Sequence, residues 1–95
     1  MRIKNHIVLS KKAMKDLKRV PKRIVRKFHE WVIAVRDDGI VATKQVKSYH
    51  DELLQGVRFG QRSIRLSRGY RAFYVVKRDD VIEFIEVLEI NKHEY

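Results

Sequence analysis

Ser63-Ile64-Arg65-Leu66-Ser67-Arg68-Gly69-Tyr70-Arg71-Ala72-Phe73-Tyr74 is the stretch that decides the fold. Ile64 and Leu66 alternate with Ser63 and Arg65, the two-residue period of a strand with one buried face. Ser67-Arg68-Gly69 supplies a turn, and a second strand is predicted from Tyr70 to about Lys77. Arg78-Asp79-Asp80 reads as another polar turn. Beyond it Val81 to Ile90, a β-rich run carrying Glu83, Glu86 and Glu89, completes a three-strand antiparallel meander.

Upstream the period changes. Ile7-Val8-Leu9 is short, apolar and β-branched, so it is expected to be a strand, and Ser10 offers its hydroxyl as an N-cap to the helix that follows. In that helix Ala13, Leu17 and Val20 fall at i, i+4 and i+7, with Lys11, Lys12, Lys15, Lys18 and Arg19 mostly toward water. Pro21 ends it and can open a second helix. There Ile24, Phe28, Trp31 and Val35 form a buried stripe that stops at Asp37-Asp38-Gly39. Between residues 40 and 56 the apolar positions Ile40, Val41 and Val46 are spaced too loosely to choose between a short helix and a loop, and the segment is read as mostly irregular. The expected fold class is α+β, a single domain over residues 1–95. It comprises an antiparallel twisted sheet, made of the N-terminal strand and the C-terminal meander, with an N-terminal helical hairpin packed on one face.

Composition narrows the function. The chain has 95 residues, room for one core, and 44% hydrophobic residues, enough to fold. Its 22 Lys and Arg against 12 Asp and Glu give a net charge of +10, which favours a polyanionic partner, nucleic acid foremost. A merely soluble lysine-rich surface, or a domain docking on anionic lipid, is the plainer reading of the same charge. The absence of cysteine removes disulfides, thiolate metal sites and cysteine nucleophiles. Ile7-Val8-Leu9 is far short of a signal-peptide core or the ~20 residues of a membrane span, so no membrane role is expected and the cytoplasm is the expected compartment.

Charge and aromatic residues concentrate in the β half, where Arg58, Arg62, Arg65, Arg68 and Arg71 interleave with Phe59, Tyr70, Phe73 and Tyr74. Guanidinium forks clamp phosphate and exposed rings stack on bases, a pattern suited to RNA. Taken singly, Arg58 and Arg68 read as well as solvated strand positions. At the C-terminal end Glu89, Asn91, His93 and Tyr95 share one side if the strand continues. A histidine there could move protons near neutral pH; a frayed polar terminus is an equal reading. Tyr49-His50-Asp51-Glu52 places carboxylates beside the basic surface, where one could serve as a base. On the residues alone, a turn or helix start with acidic residues weighs more. His6, His29, His50 and His93 show no metal-ligand spacing, and no glycine-rich phosphate loop occurs, so no metal or other cofactor is expected.

Tyr49-His50-Asp51-Glu52-Leu53-Leu54-Gln55-Gly56, then Gly60-Gln61-Arg62-Ser63-Ile64-Arg65-Leu66, then Arg68-Gly69-Tyr70-Arg71-Ala72-Phe73-Tyr74 resemble the RelE/ParE toxin superfamily, in particular its RelE, HigB and YoeB-like branches. The length and element order of the whole chain agree with it. The resemblance implies the toxin of a type II toxin–antitoxin system, an mRNA interferase that enters the ribosomal A site. There the ribose 2′-hydroxyl of the message is the nucleophile, a cyclic phosphate is left, and no metal takes part. The catalytic positions it implies are Glu52 as base, His93 as acid, Arg65 and Arg71 as phosphate stabilisers, and Tyr95 orienting or stacking on a base. Which of Glu52 and His93 takes the proton and which gives it is left open. Arg58, Arg62, Arg68, Tyr70 and Lys92 are the expected RNA-binding residues. The implied partners are mRNA, the ribosome and a cognate antitoxin. A ParE-like inhibitor of DNA gyrase and a non-catalytic RNA-binding module are the competing functions.

Overall fold

Ser10 does cap a helix: its Oγ accepts the N–H of Ala13 at 3.0 Å, so that α1 (Lys11–Arg19) starts directly after the first strand, β1 (Lys4–Leu9). Residues 4–78 and 82–92 are described by the computed structural model presented here; Asp79 and Asp80 of the expected turn, His93 and Tyr95 lie outside them. Pro21 caps α2 (Lys22–Asp38), which ends where Gly39 takes a φ of 86° and donates its N–H to Val35 O. The predicted stripe of Ile24, Phe28, Trp31 and Val35 is buried, and the N-terminal helices cover one face of the sheet.

The segment expected to be irregular is more ordered than its spacing suggested. It holds α3 (Ile40–Lys44), a 3-10 turn at Lys47–Tyr49, β2 (Glu52–Leu53) and a second 3-10 turn at Gly56–Arg58. Ile40, Thr43 and Tyr49 are buried there. Elements of two to five residues are shorter than the window in which a period shows, which is why the spacing carried no signal.

β3 (Arg62–Ser67), β4 (Tyr70–Arg78) and β5 (Ile82–Lys92) form the expected antiparallel meander, and the sheet order is β1-β5-β4-β3-β2. Two features correct the expected sheet. β2 adds a fifth strand beside β3, and β1 runs parallel to β5, so the sheet is mixed. Alternation within one strand records which residues face the core and is silent on the direction of a neighbour; β1 leaves through two helices, a connection that permits parallel pairing. Against the helices the sheet presents Ile64, Leu66, Ala72, Tyr74, Ile85, Val87 and Ile90, all buried. Trp31 lies between Phe28 and Tyr74, with ring centroids at 6.0 and 5.2 Å. Among the described residues no helix is long and apolar enough to cross a membrane.

A bulge in β5 sets what the other face displays. Phe73 pairs with Glu89 but Tyr74 pairs with Val87, leaving Leu88 as the extra residue. Ser10 binds this kink twice, its N–H donating to Val87 O at 3.0 Å and its Oγ to Leu88 O at 2.6 Å. Asp16 of α1, nearly buried, accepts the N–H of Ile90 at 2.9 Å. Before the bulge odd positions such as Ile85 and Val87 face the helices; after it Ile90 does, and Glu89 and Asn91 turn to the uncovered face.

Candidate active site on the uncovered face of the sheet

Strand pairing lines up two rows of side chains on the face away from the helices. Arg65 of β3 stands opposite Arg71 of β4, which stands opposite Asn91 of β5. One step along, Glu52 pairs with Ser63, Ser63 with Phe73, and Phe73 with Glu89. Directly opposed strand residues have Cβ atoms about 5 Å apart, so Arg65 against Arg71 places like charges together, an arrangement that destabilises a sheet unless an anion intervenes.

One anion is supplied by the protein. Arg71 donates from Nη1 to Glu52 Oε1 at 2.7 Å and to Ser63 Oγ at 3.4 Å. Glu52 remains 53% exposed at its side chain, so the carboxylate can be reached from solvent while bound to Arg71. Among the described residues no carboxylate pairs with Arg65. The two adjoining rows therefore bring together two guanidiniums, one carboxylate and an unfilled demand for negative charge, which a phosphodiester can meet with forked hydrogen bonds.

Arg58 closes the other end. Its guanidinium lies over the Phe73 ring at 4.0 Å, donates to Gln61 Oε1 at 2.8 Å and is ion-paired with Glu89, which also accepts from Asn91 Nδ2. Behind the sheet, Asp51 points the opposite way from its neighbour Glu52. Its side chain is 1% exposed and accepts from Arg62 Nε at 2.6 Å and from the hydroxyl of Tyr74. Burial, with the Asp51 carboxylate added to it, pushes the Tyr74 phenol far above its ordinary range.

The expected site residues therefore divide. Glu52, Arg65 and Arg71 are brought together, and Asn91 stands in the row of the two arginines; His93 and Tyr95 fall outside the described residues. Arg58 sits at the margin of the cluster, held by Phe73 and Glu89. Arg62 shares the phase of buried Ile64 and Leu66, and its Nε is taken by Asp51. Tyr70 packs against the core, Arg68 is exposed at the β3–β4 turn, and Lys92 is exposed on the side that Ile90 shares. Ser63, buried under Arg71, has no role expected from the sequence; its alternation with Ile64 places it on the side of Arg65, and that is the one signal the sequence holds for it. Among the described residues no three His, Asp or Glu side chains converge as a metal site.

Solved structures share this architecture. A YoeB/ParE toxin from Agrobacterium tumefaciens superposes with a TM-score of 0.73 at 20% identity, covering 94% of this chain and 99% of its own. YafQ from E. coli strain BL21(DE3) gives 0.71 at 19% identity, covering 94% and 93%. A chain of the heterotetrameric YoeB–YefM toxin–antitoxin complex from Staphylococcus aureus gives 0.66 at 24% identity, covering all of both chains. At these identities the likeness is one of fold. No curated protein matches the sequence significantly. The family model for the ParE toxin of the type II toxin–antitoxin system parDE matches residues 7–93, nearly the whole chain and every strand of the uncovered face. This chain belongs to the ParE toxin family, within the RelE/ParE superfamily, and is a toxin of the type II toxin–antitoxin class.

Proposed function

We propose that the chain is an endoribonuclease that cuts messenger RNA at the ribosomal A site without a metal ion. The observation that carries this reading is the Glu52 carboxylate, exposed and held at 2.7 Å by Arg71, with Arg65 on the strand beside it. An RNA phosphate arriving between the two arginines competes with Glu52 for Arg71 and releases the carboxylate beside the ribose. Glu52 then takes the proton of the 2′-hydroxyl, whose oxygen attacks phosphorus. Arg65 and Arg71 stabilise the charge that builds on the phosphoryl oxygens, and the 5′-oxygen leaves with a proton from His93, so that a 2′,3′-cyclic phosphate remains. Tyr95 is assigned to orient or stack on a base. The exchanged assignment, with His93 as base and Glu52 as acid, gives the same products.

A protein partner follows from the same surface. The heterotetramer of YoeB with YefM is a toxin–antitoxin complex. A cognate antitoxin of this chain would cover the Arg65–Arg71 row with an acidic or amphipathic segment and so block it.

The family match supports a second reading, inhibition of DNA gyrase without RNA cleavage, because the family carries the ParE name. Translation of a defined message in vitro, with its 5′ ends mapped, separates the two. Cuts at A-site codons that leave a cyclic phosphate, and disappear in Arg71→Ala, are the expected result. An intact message together with trapped gyrase–DNA complexes overturns the nuclease and installs the gyrase reading.

A further inference from the structure

Four aromatic residues interleave with the arginines of the β half, and folding employs three of them. Tyr74 is buried against Trp31, Tyr70 packs on the core, and Phe73 lies beneath Arg58. Phe59 is left 74% exposed. Its position is built: Phe59 at φ −51° and ψ 131°, followed by Gly60 at φ 93°, with Gln61 N–H donating to Arg58 O at 2.9 Å, makes a type II turn with Phe59 at its first corner. The turn is pinned at both shoulders, since Arg58 rests on Phe73, pairs with Glu89 and binds the Gln61 side chain. A large apolar ring is thus held in water on a defined support, next to a guanidinium that already sits on the row of Glu52 and Ser63.

We propose that Phe59 is a stacking platform for one nucleobase of a bound single strand, and so a determinant of which nucleotide lies beside the cleavage point. This deepens the nuclease reading and rests on it. A base offers a flat π-face of the size of a phenyl ring with phosphates on either side, and the turn offers one such ring next in sequence to the cation Arg58. A protein partner calls for a broader apolar contact, and within the turn itself, residues 56–61, Val57 and Phe59 are the two large apolar residues that are exposed.

The test uses the full chain and a 2′-O-methyl RNA oligonucleotide, which cannot be cut, with an abasic oligonucleotide of the same length as control. In Phe59→Trp the new indole is expected to lose fluorescence with the base-bearing strand and not with the abasic one, while buried Trp31 gives the wild-type background. Phe59→Ala should bind the base-bearing strand about tenfold more weakly, within the range for one stacked base, and the abasic strand unchanged. Equal affinity of wild type and Phe59→Ala for the base-bearing strand, or the same loss with the abasic one, overturns the proposal. So does a variant that keeps its RNA affinity and loses its antitoxin, which would make the tip a protein contact, and so does a wild type that binds neither strand. Because the probe is uncleavable, failure of the nuclease reading registers separately: uncut messages with fluorescence quenching intact remove the nuclease and leave the base platform.

Discussion

Asp51 and Glu52 are consecutive carboxylates, each bound by an arginine, and the sheet between them gives them opposite environments. Asp51 faces the helices, is 1% exposed, and is held by Arg62 and by the Tyr74 hydroxyl, with Trp31 packed on the Tyr74 ring. Glu52 faces the other way, is 53% exposed, and touches Arg71 at 2.7 Å. A buried pair costs desolvation on both sides and is costly to break, so it fixes geometry; an exposed pair contributes about 0–1 kcal/mol and can exchange partners. The short β2 strand is anchored on one side so that its next residue can be offered on the other. Arg62 and Arg71 look alike in a list of cationic residues, and the face each occupies separates their work.

The largest effect should come from breaking the anchor. Arg62→Met leaves a carboxylate without its cation at a nearly solvent-free position and should cost about 3 kcal/mol of folding stability in a urea titration. Adding Asp51→Asn to that variant should restore part of it. A variant of unchanged stability but weaker RNA binding would return Arg62 to the RNA-contacting role expected of it from sequence.

Arg71→Ala comes next. Stability should hold within about 1 kcal/mol, because the lost pair is half in water, while message cleavage and growth arrest should fall about 100-fold, the usual loss when one charge-stabilising donor is removed. Undiminished killing by this variant would transfer the toxin's action away from the Arg65–Arg71 row.

Tyr74→Phe probes the anchor more gently. Losing one hydrogen bond to Asp51 should cost about 1–2 kcal/mol near neutral pH. The sign with pH is fixed by linkage. The folded state holds the phenol protonated above its ordinary value of 10.0, whereas the unfolded chain releases that proton near 10, so stability is complete below that pH and falls as pH rises beyond it. Replacement by Phe should remove up to about 1.4 kcal/mol of that loss for each pH unit above 10. Identical alkaline slopes in the two proteins would mean that the Tyr74 hydroxyl is not closed off with Asp51.

Sequence made some of this legible and hid the rest for physical reasons. The stripe of α2, its stop at Gly39 and the β3–β4 hairpin each repeat a period over enough residues to be read. β2 is two residues long and has no period. The parallel pairing of β1 is decided by a neighbour 78 positions away, as the Ser10–Leu88 bond shows, and alternation is blind to it. Beside the Leu88 bulge, which turns Glu89 and Asn91 outward, the Ile90 N–H is taken by Asp16, an acidic residue in a helix that reads as lysine-coated. At the site, the approach of Glu52 to Arg71 was implied by family resemblance, since residues 19 apart on different strands share no local pattern. The division of labour between Asp51 and Glu52 needed the face of each, and a register one residue earlier or later would have reversed it.

The smallest expected change carries the sharpest sign. Glu52→Gln keeps the size of the side chain and removes its charge, so stability should move by no more than the worth of an exposed pair, at most about 1 kcal/mol. If Glu52 and a substrate phosphate compete for Arg71, removing the competitor should tighten binding of an uncleavable RNA, by up to about fivefold for a pair worth as much as 1 kcal/mol. Cleavage should slow at the same time, because the proposed mechanism needs Glu52 to move a proton, as base or in the exchanged assignment as acid. Tighter binding with slower cutting is a combination that neither a purely structural carboxylate nor a simple phosphate-repelling one produces. The first would leave both readings where they were, and the second would raise affinity without touching the rate of the bound complex. Affinity measured by titration with the 2′-O-methyl strand, beside single-turnover cleavage of the natural strand on ribosomes, tells the three apart. Weaker binding in Glu52→Gln would place the carboxylate in direct contact with the RNA and end the exchange with Arg71.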